Sequence, residues 1–158
     1  MRHARLLAIV ASCVLLAACA SGPPRRVSEP AASIQQLTVR ADGGWSVDLR
    51  LQNYSSLPMR FEVIALAVWV DGEATGTLQA QSALTIGPES ADVLALALVP
   101  SSAARIRMAD ALAAGRSIGY RLDGTIHAAP EDRSNARSYR IERGSRLSPV
   151  PGLPGVLR

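Results

Sequence analysis

The sequence predicts a mainly β protein: an antiparallel β-sandwich of about seven short strands with one short helix. Three observations predict it. Apolar and polar residues alternate with a period of two through most of the chain after residue 33, the pattern of strands with one buried face. Turn-forming residues interrupt that pattern about every ten positions. One alanine-rich stretch, 103–114, departs from it and has the marks of a capped helix. The chain has 158 residues, enough for one domain of ordinary size, and its 48% hydrophobic content excludes a disordered charged chain.

The first residues precede this pattern. Met1–Arg5 is short and basic, and Leu6–Ala18 is apolar except for Ser12. A membrane-spanning helix needs about twenty such residues, so the shorter run fits the apolar core of an export signal. It ends in Leu16-Ala17-Ala18-Cys19, which resembles a bacterial lipobox. Residues 1–18 are therefore expected to be a lipoprotein signal peptide, with Cys19 the lipidated residue. A plain secretory signal would also end at small residues and leave Cys19 incidental; the spacing from apolar run to cysteine favours the lipobox. Each buried acyl methylene contributes about 0.8 kcal/mol and two chains make a stable anchor, so the membrane is an expected partner. Ala20 follows the cysteine where Asp would favour retention. By resemblance to lipoprotein sorting rules, this places the protein at the outer membrane of a bacterial envelope, facing the periplasm. Cys13 leaves with the signal, so the mature chain has no disulfide and its core must hold the fold unaided.

Residues 20–33, with Gly22, Pro23, Pro24 and Pro30, read as a tether whose reach is about 30–40 Å. Arg25 and Arg26 in it are solvated, or touch anionic head groups. The sandwich is expected over 34–147. Leu37 and Val39 open it, and after Asp42-Gly43-Gly44 the side chains of Trp45, Val47, Leu49 and Leu51 share one face. In 59–70, strict alternation sets Phe61, Val63, Ala65, Ala67 and Trp69 against Ile64, Leu66, Val68 and Val70, so Trp45, Phe61 and Trp69 are expected in the core. Asp71-Gly72 is a turn. Strands follow at 76–81, 83–86 and 91–99, divided by Gly87-Pro88 and ended by Pro100. Ser101 and Ser102 offer caps to a helix whose expected buried stripe is Ile106, Ala109, Leu112 and Ala113. Strands resume at Ile118–His127 and Ser138–Glu142. The Pro/Gly-rich tail, 148–158, is expected to be irregular.

The chemical inventory is thin. All 17 basic residues are arginine, and 15 of them remain in the mature part against 13 acids. They are scattered along the sequence rather than blocked, which argues against a nucleic-acid partner. His127 is the only histidine after the signal, too few for a catalytic triad or a zinc site. Asp71-Gly72-Glu73 and Glu131-Asp132 are acidic pairs in turns without the alternating oxygens of a calcium loop, and Gly43-Gly44 is no phosphate cradle. The chain is read as a non-enzyme without cofactor, metal or small-molecule substrate.

The middle of the chain resembles the type 2 late embryogenesis abundant family, also described by the water stress and hypersensitive response domain. Leu49-Arg50-Leu51-Gln52-Asn53-Tyr54-Ser55-Ser56-Leu57-Pro58 is similar to its strand and turn, keeping Asn53 of the usual Asn-Pro-Asn. An Asn side chain can bond the backbone two residues on. Val68-Trp69-Val70-Asp71-Gly72, Leu84-Thr85-Ile86-Gly87-Pro88 and Tyr120-Arg121-Leu122-Asp123-Gly124-Thr125-Ile126 are similar to later segments, in the family's order. The resemblance implies a seven-stranded fibronectin type III-like sandwich with a role in desiccation or osmotic stress, and it carries no catalytic residues. A lipid-anchored protective domain is therefore expected. The alternative is an envelope interaction module that binds a protein partner through a sandwich edge or loop.

Overall fold

The computed structural model describes residues 25–158; the predicted signal peptide and Cys19 lie outside the described residues. Eight strands and one helix follow in order: β1 (Ala31–Val39), β2 (Trp45–Gln52), β3 (Met59–Val70), β4 (Glu73–Ile86), β5 (Ala91–Leu98), α1 (Ser102–Ala113), β6 (Ile118–Pro130), β7 (Arg137–Leu147) and β8 (Val156–Leu157). They form two four-stranded sheets, β5-β2-β1-β8 and β4-β3-β6-β7, with every ladder antiparallel. This is the expected sandwich of fibronectin type III-like strand order, with β8 as an addition.

Alternating inward residues of both sheets make the core. Trp45, Val47, Leu49 and Leu51 of β2 share it with Ile34 and Leu37 of β1, and with Tyr120, Leu122 and Ile126 of β6. Burying each large side chain contributes about 1.5–3 kcal/mol, and the described residues, which contain no cysteine, hold their fold through this core. The turns carry their expected chemistry. Asp71 and Gly72 both take positive φ, 46° and 83°, as a two-residue hairpin between β3 and β4 requires. The Asp71 carboxylate also accepts the Gly119 N–H at 2.8 Å, and the Asp71 N–H donates to the Gly119 carbonyl, fastening that hairpin to the start of β6. Gly124 answers to a different constraint. A Cβ there would stand 2.1 Å from the Ala65 carbonyl oxygen, so only glycine lets β6 pass β3 at this point.

Four expectations are corrected. The register of β3 shifts between Phe61 and Val63 against both neighbours. That bulge puts Phe61 in the core together with Ile64, Leu66, Val68 and Val70, and turns Val63, Ala65, Ala67 and Trp69 outward. Trp69 is thus not a core residue; the Arg121 guanidinium lies 4.0 Å from its ring centroid on the outer face. The expected strands at 76–81 and 83–86 are one continuous β4, since the interruption is a register shift and not a turn. The helix runs where expected, with the Ser101 hydroxyl accepting the Ala104 N–H, but Ala104, Met108 and Ala111 are the residues it buries and Ile106 is 70% exposed. The tail is not irregular throughout. Its prolines and glycines turn the chain so that Val156 and Leu157 pair with Thr38 and Leu37, and Leu157 is fully buried.

The bulge has a measurable consequence. Phe61→Ala is expected to cost about 3–5 kcal/mol, and Trp69→Ala only about 1–2 kcal/mol, from a half-buried ring and a cation–π contact. Urea unfolding of the two variants checks this; equal losses would mean strict alternation through β3.

Candidate functional site

The best-defined polar cluster lies at the end of the sandwich where the β2–β3, β4–β5 and β6–β7 loops gather. Asn53 is its centre, a buried residue directly after β2. Its amide nitrogen donates to the carbonyls of Leu57 and Gly87, both at 2.8 Å, and of Ile86 at 3.1 Å. Its amide oxygen accepts the Ser55 N–H at 2.8 Å, the bond to the backbone two residues on that an Asn turn favours. One side chain thereby ties the β2–β3 loop to the end of β4, across the two sheets.

Ser55, also buried, extends the cluster to the start of the described chain. Its hydroxyl accepts the Ser28 N–H at 3.0 Å, and the Arg26 carbonyl accepts the Ser56 N–H at 2.9 Å. Arg25 pairs with Asp132 of the β6–β7 loop, while Arg26 donates to the Tyr54 carbonyl and to Glu89. Residues 25–30 are therefore docked on the domain, and β1 begins at Ala31 rather than at residue 34. The expected tether is shorter at its far end, and its two arginines, exposed to solvent as expected, are also ion-paired. Beside them a groove of about 400 Å³ is lined by Val27, Pro130, Arg133, Asn135, Arg137 and Tyr139, among others.

The strand edges are the other open feature. β4 and β5 are edge strands with one charged residue each, Glu73 and Asp92. β7 is the edge of its sheet and pairs only with β6. It carries Arg137, Arg140, Arg143 and Arg146, four of the fifteen arginines that seem scattered in the linear sequence. Their regular spacing of three was the available signal, but only the fold shows that the segment is a long edge strand.

The remaining sequence candidates stay apart. His127 is exposed on the outer face of β6, level with Val63 and Ser138. Asp71 serves its turn, and Asp132 serves Arg25. Among the described residues no group of three or more His, Cys, Asp and Glu side chains comes together, and no helix is long and apolar enough to cross a membrane.

No protein-family profile matches the chain, and no curated protein matches it. Solved structures are similar to it, two of which follow. One is the crystal structure of a protein from Archaeoglobus fulgidus, 16% identical, with a TM-score of 0.44, covering 79% of this chain and 98% of that one. The other is the solution structure of AT1g01470 from Arabidopsis thaliana, 13% identical, with a TM-score of 0.48, covering 81% and 83%.

Asn53→Ala is expected to cost about 2–4 kcal/mol, because the buried Ile86 carbonyl and the part-buried Leu57 carbonyl lose their donor and the Ser55 N–H its acceptor. The pair Asn53→Ala and Ser55→Ala should be non-additive, since both act on one network. Thermal and urea unfolding of the single and double variants check both statements.

Proposed function

We propose that this protein is a lipid-anchored, non-enzymatic β-sandwich of the bacterial envelope that protects neighbouring proteins during desiccation or osmotic stress by holding their extended segments at its strand edges. The observation that carries the reading is the length of those edges: β4 spans fourteen residues, β5 eight and β7 eleven, each at the rim of its sheet. Alternate backbone groups along such a rim have no ladder partner and form a template for an added strand. A protein losing its fold as water is withdrawn exposes segments of that kind. The stress setting is supported by the resemblance to type 2 late embryogenesis abundant proteins, and the location by the lipobox at Cys19.

Anchoring through Cys19 would hold the domain close to its membrane. With Arg25 already docked, only residues 19–24 lie between anchor and domain, a reach of at most about 20 Å at roughly 3.3–3.6 Å per residue. The clients of such a module are proteins at or near the bilayer surface.

The test is to dry a labile enzyme with residues 20–158, beside an equal mass of an unrelated β-sandwich, and to compare recovered activity after rehydration. Residues 20–158 retain the docked segment 25–30 as well as the whole core. Recovery clearly above the control is the expected result; parity with it would refute direct protection.

A further inference from the structure

The edge of β7 differs from the other two in a way that names its occupant, an inference that rests on the edge-binding reading above. Arg137 and Arg143 have no ion-pair partner among the described residues, Arg146 only approaches the Ser117 carbonyl at 3.5 Å, and Arg140 is bonded to Asp123 at 3.0 Å. The register assigns them to both faces of the sheet. Arg140 lies opposite Thr125 and Arg146 opposite Gly119, on the outer side. Arg137 lies opposite Ala128 and Arg143 opposite Leu122, both buried inward, yet both arginines are exposed because the sheet ends here. Glu142 is the single acid of the strand. The alternate backbone groups that point outward along this eleven-residue edge are thus bordered above and below by guanidinium groups.

We propose that the edge of β7 is a docking site for an extended, acidic polypeptide segment that adds to the sheet as a fifth strand. Backbone groups along the rim offer donors and acceptors at strand spacing, which another strand matches. Carboxylates at every third position of that strand would fall on alternating faces as the arginines do and meet one on each face, and Arg–carboxylate pairing adds direction. The same arginines reject a second copy of β7, which would set Arg against Arg, and they reject neutral aggregating strands by leaving their charge without a counter-charge. The edge is therefore a filter for sign, open to acidic strands and closed to itself.

Three synthetic decapeptides of alternating Thr and Val test this, with four positions set to Glu, to Gln or to Lys. Their binding to residues 20–158 is followed by fluorescence anisotropy and by amide chemical shifts. The Glu peptide is expected to bind at least tenfold tighter than the Gln peptide, to shift amides of Arg137–Leu147, and to weaken with added salt. The variant carrying R137Q, R140Q, R143Q and R146Q should reduce the Glu peptide to the level of the Gln peptide without changing the melting temperature. N-methylation of alternate peptide nitrogens should abolish binding. Equal binding of Glu and Gln peptides, shifts confined to β4 or β5, or undiminished binding of the N-methylated peptide would overturn the assignment while leaving edge capture standing. Binding of none of the three would remove both. Tighter binding of single-stranded DNA or of phosphatidylglycerol vesicles than of the Glu peptide, lost in the same variant, would overturn the polypeptide partner in favour of those anions.

Discussion

The Asn53 carboxamide is the interaction on which much of the rest depends. It is buried where the two sheets separate into loops, and it bonds the carbonyls of Leu57, Ile86 and Gly87 together there. The two sheets share no ladder, so cross-sheet order at the loop end comes from bonds between loops: the Glu89 N–H donates to the Ser55 carbonyl, and the Asn53 side chain adds the rest. Asn suits this because one short group both donates and accepts. Through Ser55 the same order passes to Ser28, and so to the angle at which the chain approaches β1. Tyr120 acts similarly within the core: its hydroxyl accepts the Ile34 N–H at 3.1 Å, joining β6 to β1 where the bulge between Ile34 and Gln36 disturbs the ladder.

Much of the architecture was legible in the sequence because a period of two with one buried face leaves few arrangements. The strict alternation of Trp45–Gln52, the Asp71-Gly72 hairpin and the Ser101 cap each carry their cause locally. What escaped was set by partners distant in sequence. Nothing near Phe61 announces a bulge; it shows only in the pairing, where two steps along β3 meet three along β4 and one along β6. The buried face of α1 is set by the sheet rim beneath it, which favours small Ala104 and Ala111 and flexible Met108 over branched Ile106. Residues 156–157 are too few to show periodicity, and they form a strand only because β1 has an open side.

The candidate surfaces divide in the same way. Asn53 was legible as a turn residue through its own side-chain chemistry, although its reach to Ile86 and Gly87 was not. The arginines of β7 were visible one by one and meaningless as a group until the edge was known. Charge distributed along a sequence and charge distributed over a surface are different quantities, and in a β protein a spacing of three alternates between faces.

The position of β1 has a mechanical consequence. It is the first strand of the described chain, yet it lies inside its sheet, with β2 on one side and β8 on the other. A pull transmitted through the N-terminus would run along the axis of β1, loading both ladders in shear, so their hydrogen bonds would have to fail together rather than open one after another from an end. The Val39 N–H held by the Gly155 carbonyl and the Arg158 guanidinium held by Gln36 add to that grip at the far side. A domain held by this terminus would resist unravelling under drag or crowding far better than one held by an outer strand.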